Sequence, residues 1–135
     1  MDYAKAFDHV DYTVLLQKLK TSFIVRWMSS FLYKRQQRVK INDIVSKWVT
    51  LRGGMPQGSW LGPLIFIILI DDLRPWLITH KFVDDTTSSE IIAKGSTSEM
   101  QRTIDELVQW SQLNRLNVNT SKTKEIVLGP LSKEL

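Results

Sequence analysis

His80-Lys81-Phe82-Val83-Asp84-Asp85-Thr86-Thr87 is the stretch on which the reading of this chain turns. Apolar residues run directly into two adjacent carboxylates, and β-forming threonines follow. Residues 80–83 and 86–93 are therefore expected as strands bracketing Asp84-Asp85 at a hairpin tip. Like charges side by side repel each other, and a divalent cation removes that penalty because carboxylate oxygens are its preferred hard ligands. The plain alternative is that Asp is a common turn residue and the pair is simply solvated. Asp71-Asp72 serves as an internal comparison. It also follows an apolar run, but where a helix should end, and there the macrodipole disfavours negative charge. That pair reads as solvated residues just past a helix terminus, with no catalytic role.

Upstream of the hairpin, residues 60–73 are apolar nearly all round until Asp71, which predicts a buried helix with Ser59 as N-cap and Pro63 in its first turn. The loop before it, Arg52-Gly53-Gly54-Met55-Pro56-Gln57-Gly58, holds three of the chain's six glycines. Glycine lets backbone approach a ligand closely, and a helix N-terminus favours phosphate; a tight loop made for close packing explains the same residues. No Gly-Lys-Ser/Thr follows, so this is not a P-loop.

Earlier still, Val10, Val14, Leu15 and Leu19 recur at helical spacing over residues 10–20, and a second helix is expected over 23–33 with Phe23, Ile24, Trp27 and Phe31 inward. Residues 37–42 and 45–51 read as strands joined by turn-forming Asn42-Asp43. Beyond the hairpin, residues 97–113 form an amphipathic pattern whose buried side is marked by Met100, Ile104, Leu107, Val108 and Trp110 or Ser111. Residues 124–128 are expected as a closing strand, and 1–4 as the end of another. There are no repeats, so the pattern fits one compact α+β unit.

Composition narrows the chemistry. A chain of 135 residues, 43% apolar with five Trp and five Phe, can bury a modest core. With no Cys and two His, thiolate and His-based zinc sites are excluded, so a metal would need oxygen ligands, which suits magnesium. A formal charge of +4 leans toward a polyanionic partner. Met1-Asp2-Tyr3-Ala4-Lys5 carries both charge signs, so no signal peptide is expected in this stretch. The apolar run 60–70 is eleven residues, against the roughly 20 that a membrane span needs. A soluble, intracellular protein is expected. Asp2 supplies a third acidic element; two-metal phosphoryl transfer draws carboxylates from separate segments, whereas an isolated Asp near a chain end is ordinarily solvated.

Four segments then carry a resemblance. Asp-x-x-Lys-Ala-Phe-Asp at 2–8, Gly-Met-Pro-Gln-Gly-Ser-x-Leu-Gly-Pro at 54–63, Phe-Val-Asp-Asp at 82–85 and Leu-Asn-Val-Asn-Thr-Ser-Lys-Thr at 116–123 follow the order of reverse-transcriptase motifs A, B, C and D. The set resembles reverse transcriptases of non-LTR retrotransposons, of the jockey-like kind, and spans Asp2 to about Gly129.

The resemblance implies an α+β, polymerase palm-like fold: a small antiparallel sheet carrying the aspartates, helices packed on one face, incomplete fingers and no thumb. Residues 1–135 would be a partial reverse transcriptase domain. Asp2 and Asp84 would be principal ligands of two Mg2+ ions (Mn2+ being an alternative), with Asp85 their companion carboxylate. Phe7 would lie against the sugar and exclude a 2′-hydroxyl. Gln57 and Gly58 would contact incoming nucleotide and template, Phe82 the primer end, and Val83 the substrate beside it. Lys122 would be the motif-D lysine that protonates pyrophosphate, although Lys124 is close by. Arg35, Arg38 and Lys40 form a basic stretch suited to phosphates or to a solvated strand face. The implied partners are an RNA template, a DNA primer and deoxynucleoside triphosphates, with no membrane. Phe-Val-Asp-Asp departs from the more usual Phe-Ala-Asp-Asp, and Ile-Asp-Asp-Leu at 70–73 from Ile-Asn-Asp-Leu. The segment reads as cut short before motif A and after Leu135, so little independent turnover is expected of it alone. Two rival readings stand beside this one: a non-catalytic nucleic-acid-binding relic, and another palm nucleotidyltransferase of group II intron or telomerase type.

Overall fold

A computed structural model describes residues 1–19 and 22–129, and these form a mixed α+β chain with four helices and three two-stranded antiparallel sheets. The first helix, α1 (Tyr12–Lys18), starts later than its apolar pattern suggests because Asp11 is its N-cap. The Asp11 carboxylate accepts hydrogen bonds from the Thr13 and Val14 amides at 2.8 and 3.1 Å, which satisfies two donors that the helix start leaves open. Leu15 and Tyr12 face the core.

The second helix, α2 (Ser22–Leu32), corrects the expected inner face. Met28 and Leu32 are buried, while Phe23 is 75% exposed and Ile24 and Trp27 are exposed as well. Trp27 stacks instead on the Phe31 ring, with centroids 6.1 Å apart, and the Arg35 guanidinium covers Phe31. The chain then leaves the body as a ribbon. Strands β1 (Gln36–Gln37), β2 (Lys40–Ile41), β3 (Ile44–Val45) and β4 (Val49–Thr50) pair as β1 with β4 and β2 with β3. The tip is the expected Asn42-Asp43, with Asn42 at φ +53 in the left-handed region that Asn tolerates.

The loop after the ribbon folds back onto the residues that follow Asp2. Gly54 N donates to Val10 O at 3.0 Å, Met55 N to Phe7 O at 2.8 Å, and the Tyr12 hydroxyl to Gly54 O at 2.7 Å. Gly54 has φ +79, and a Cβ there would lie 2.9 Å from Asp8 O. Gly58 has φ +77 with open space around it. The two explanations of the glycine loop therefore divide between residues: Gly54 serves close packing, and Gly58 leaves an accessible face.

Helix α3 (Leu61–Leu69) buries Gly62, Ile65, Phe66 and Leu69, which form the centre of the core with Tyr3, Val10, Leu15 and Leu32. Ser59, the expected cap, stands one residue before the cap position, which Trp60 holds, and its hydroxyl accepts from Leu61 N at 3.1 Å. Trp60, however, is 97% exposed. At the other end Asp72 is not merely solvated. Its carboxylate accepts from Lys18 Nζ at 2.6 Å and from Trp110 Nε1 at 3.0 Å.

A hairpin of β5 (Ile78–Phe82) and β6 (Asp85–Ser89) follows, close to the expected strands. Helix α4 (Met100–Leu113) buries Leu107 and Ser111 as read, and also Thr103. Residues 124–128 are not a strand; the closing contact lies earlier, where Val118 bridges Tyr3. No helix among the described residues is long and apolar enough to cross a membrane.

Two expectations follow from these packing details. Gly54→Ala meets Asp8 backbone that cannot yield and adds the left-handed penalty of about 1–2 kcal/mol, so it should destabilise clearly more than Gly58→Ala, which bears that penalty alone. Urea unfolding of both variants tests the order, and equal losses would contradict it. The second concerns acid. At Asp11, partial burial pushes the carboxyl up, but hydrogen bonds from the Val14 amide, Arg115 and the Thr13 amide outweigh it and hold the group below the usual carboxylate range. Burial at Asp72 is likewise outweighed, by the Lys18 and Trp110 hydrogen bonds. A depressed folded value means stability that is complete above the ordinary carboxylate value and lost as pH falls through the folded one. The Asp11→Asn/Asp72→Asn double variant should therefore show a flatter stability loss below about pH 4 than the parent, measured by denaturation across pH 2–6.

Candidate active site

The hairpin turn between β5 and β6 is Val83-Asp84. Val83 sits at φ +54. A β-branched residue in that region is strained, by about 1–3 kcal/mol. The surroundings hold it there. Five residue pairs join the strands, from Ile78–Ser89 to Phe82–Asp85, and the Thr79 and Ser88 hydroxyls bond at 2.8 Å. Asp84 is half-buried and Asp85 exposed, and neither carboxylate has an ion pair or side-chain hydrogen bond among the described residues.

Thr86, buried on the second strand, exchanges backbone bonds with Met1: Thr86 N donates to Met1 O at 3.1 Å, and the Met1 amine to Thr86 O at 2.5 Å. Such a reciprocal pair is antiparallel pairing, so the chain runs from Met1 toward the hairpin tip and carries Asp2 alongside the Asp84-Asp85 end. On its other edge the same segment meets residues 117–119. Ala4 N donates to Asn117 O and Asn119 N to Asp2 O, each at 2.8 Å. Strand pairing ends at Tyr3 and a turn follows, which is the condition that a role for Phe7 beside Asp2 requires.

The 119–123 turn wraps the Asp2 carboxylate. Asn119 Nδ2 lies 3.5 Å and Lys122 Nζ 3.7 Å from Asp2 Oδ2, and the turn is closed by Thr123 N donating to Asn119 O at 3.0 Å. Lys122 is therefore next to Asp2, whereas Lys124 is exposed and forms no ion pair among the described residues. Sequence reasoning named Lys122 but missed Asn119. The apolar–polar alternation of Leu116-Asn117-Val118-Asn119 was the available signal for an edge strand there.

Tyr3 points the opposite way from Asp2, as strand alternation demands. Its ring packs 6.4 Å from Phe66 and 6.2 Å from Trp110, and burial raises its hydroxyl pKa. The Tyr3 and Thr86 hydroxyls lie near each other, yet both are buried without a hydrogen bond of sound geometry.

The remaining candidates are distributed around this centre. Phe7 is half-buried, its ring 5.3 Å from Phe66 and against Gly62. Gln57 is exposed, with its amide 3.4 Å from Asp8 Oδ1, which ties the glycine loop to the turn after Asp2. Phe82 is 80% exposed, while Val83 packs partly against the core. Among the described residues no three His or acidic side chains converge closely enough to hold a metal ion. What the arrangement does assemble is an oxygen-rich region: Asp2 between β6 and the 117–119 segment, with two unpartnered carboxylates at the adjoining hairpin.

Comparison with known proteins agrees with the family resemblance. The chain is similar to the RNA-directed DNA polymerase from mobile element jockey of Drosophila melanogaster, 27% identical over 96% of this chain and 16% of that protein. It is 34% identical, over 54% of its length, to 8% of the probable RNA-directed DNA polymerase from transposon BS of the same organism. A third relative, that from transposon X-element, is 24% identical over 93% of this chain and 15% of its own length. The chain thus spans at most about a sixth of these relatives. The reverse transcriptase (RNA-dependent DNA polymerase) family matches residues 1–131, from the strand bearing Asp2 to beyond the Lys122 turn, and the chain belongs to that family.

Proposed function

We propose that this chain is the catalytic palm segment of an RNA-directed DNA polymerase, adding deoxynucleotides to a primer 3′-hydroxyl on an RNA template. The observation that carries the reading is the pairing of Met1 with Thr86, which joins the Asp2 segment to the Asp84-Asp85 hairpin across 85 residues of sequence. Carboxylates brought together from two separate segments are what two-metal phosphoryl transfer draws on.

The donors suit Mg2+ chemically. They are hard carboxylate oxygens, and Asp84 and Asp85 are free of competing cations among the described residues. Asp2, Asp84 and Asp85 would hold the two ions, which when bound supply charge neutralisation on the phosphates and a more acidic 3′-hydroxyl. The residues of the chain do the rest. Phe82, exposed on β5, lies toward the primer end with Val83 beside it. Gln57 and Gly58 offer an amide and open backbone to nucleotide and template, and the Phe7 ring closes the sugar side. Lys122 delivers a proton to the departing pyrophosphate, a role supported by its position 3.7 Å from Asp2. Positioning and electrostatics are where phosphoryl transfer gains most.

In a jockey-type polymerase whose matching segment is replaced by residues 1–131, Lys122→Gln should lower kcat by about a hundredfold or more, the range of general acid catalysis, with KM little changed. Lys124→Gln should leave both near the parent, and the reverse ranking would transfer the role to Lys124. The isolated 135-residue chain should bind Mn2+ weakly, at one site rather than two, and lose it on Asp84→Asn/Asp85→Asn. Strong Mg2+-dependent primer extension by that chain alone would refute the expectation of little independent turnover.

A further inference from the structure

Every polar atom of Asn119 is engaged. Its N donates to Asp2 O at 2.8 Å, and its O accepts from the Lys122 and Thr123 amides at 3.2 and 3.0 Å and from the Thr123 hydroxyl at 2.9 Å. In the side chain, Oδ1 accepts from the Ser121 hydroxyl at 2.7 Å, and Nδ2 donates to Asp2 Oδ2 at 3.5 Å. A carboxylate only accepts, so the donor end of the amide must face it. Asn is a common turn residue because its Oδ1 closes a local turn, and the Ser121 bond does that here. The Nδ2 contact with Asp2 adds nothing to the turn.

Two side-chain donors reach the Asp2 carboxylate, and both fall on the same oxygen. Lys122 Nζ lies 3.7 Å from Oδ2, while no hydrogen bond or ion pair among the described residues reaches Oδ1. The two donors differ in how firmly they hold. The Lys122 side chain is 72% exposed, and a long exposed ammonium at that distance fixes a carboxylate weakly. Asn119 is half-buried and anchored through its N, O and Oδ1, so its amide has little freedom. They differ in charge as well. An ammonium opposes a cation at the same carboxylate, whereas a neutral amide orients the group and leaves its charge intact.

We infer that Asn119 is a positioning residue for Asp2: by holding Oδ2 it leaves Oδ1 to a divalent cation without neutralising the carboxylate. The inference deepens the reading of Asp2 as a metal ligand and rests on it. Hydrogen-bond partners of ligating groups commonly change metal affinity by about ten- to a hundredfold. Lys122 acts in the opposite sense, because its charge competes with the cation for the same carboxylate. Two residues of one turn therefore push metal binding in opposite directions, and a residue that merely shaped the turn would not.

The test measures Mn2+ binding to the purified chain by electron paramagnetic resonance, with urea unfolding of every variant in EDTA. Asp2→Asn and Asp84→Asn/Asp85→Asn should each abolish the binding, which puts the ion between the two segments. Asn119→Ser keeps a turn-forming residue but not the reach to Asp2, and should weaken Mn2+ binding by about ten- to a hundredfold. Asn119→Leu, which keeps the side-chain shape, should lose as much. Lys122→Gln should bind Mn2+ as well as the parent or better. Thr123→Val removes the hydroxyl bonds to Asn119 O and from Asp2 N; it should lower stability in urea about as much as Asn119→Ser does, with Mn2+ affinity close to the parent's. In the jockey-type polymerase carrying residues 1–131, Asn119→Ser should raise the Mg2+ concentration for half-maximal extension by the same factor, with kcat recovered at saturating Mg2+. The kcat loss of Lys122→Gln should not be recovered. The inference alone is overturned if the parent binds Mn2+ and both Asn119 variants match it, or if binding survives Asp2→Asn but not Asp84→Asn/Asp85→Asn. It is likewise overturned alone if Thr123→Val or Lys122→Gln weakens binding as much as Asn119→Ser. Absence of Mn2+ binding by the parent, or binding that survives Asp84→Asn/Asp85→Asn, overturns it together with the metal reading on which it rests.

Discussion

The end of α3 is the constraint on which the arrangement rests. An α-helix that is apolar nearly all round still finishes in carbonyls with no partner inside the helix, and in a core those groups cannot turn to water. Here two ammonium groups meet them. Lys18 Nζ donates to Leu69 O at 2.6 Å, and Lys81 Nζ to Ile70 O at 2.8 Å and Leu73 O at 3.2 Å. A cation at a helix C-terminus is also favoured by the dipole. Lys18 ends α1 and Lys81 lies one residue before Phe82, so the same helix end fixes both the helix after the Asp2 segment and the strand leading to Asp84. Partial burial lowers the Lys81 pKa, and neighbouring Arg74 lowers it further. Asp72 balances the cluster by accepting from Lys18 and from Trp110, which brings α4 to the same point.

How much of this was readable in the sequence depended on the range of the interaction. Local chemistry was plain: Asn42-Asp43 turns the ribbon, the Ser59 hydroxyl accepts an amide at the start of α3, and alternation around Asp84-Asp85 gives the hairpin. Long-range choices were hidden. On α2, Phe23, Trp27 and Phe31 form one row at helical spacing and Met28 with Leu32 the next row round. Side-chain size favoured the first, yet of that row Phe31 alone packs against the core, and the second row is buried where α1 and α2 pack together. The sequence places a closing strand at 124–128. Pairing occurs instead at Val118, since the strand that needs a partner is the one holding Asp2, and that partner follows α4 directly. For the candidate site, the motif residues were found by their types, but the role of Asn119 beside Asp2 depends on a fold across 117 residues that no local pattern reports.

The hairpin tip shows how such a site tolerates a costly conformation. Positive φ at the first turn position alone is the geometry of a type II′ turn, where Gly is the usual occupant. Val83 occupies it here, so the replacement of the commoner Ala in this motif is not conformationally neutral. A strained residue persists only when its surroundings over-determine it. Those surroundings are the five strand pairs, the Thr79–Ser88 bond, and Thr86 locked to Met1, with Lys81 anchoring the strand to α3.

Charge placement separates the parts of the molecule that hold the fold from those left open to a partner. Apart from Lys122 on Asp2, every cation of the body that contacts an acid among the described residues has a structural reason: Lys18 at a helix end, Arg115 on the Asp11 cap, Arg102 along α4, and Arg74 beside Asp71. Among the groups outside that pairing are the carboxylates of Asp84 and Asp85 and the cations of the ribbon. Cancelling them against each other would gain little at exposed sites, where a surface ion pair contributes only about 0–1 kcal/mol. Kept apart, they retain fields of opposite sign that are screened over roughly 8 Å at physiological salt. A polyanion is repelled by the first and attracted by the second. Its approach to the acidic region therefore needs cations that the region itself does not supply, apart from Lys122 beside Asp2.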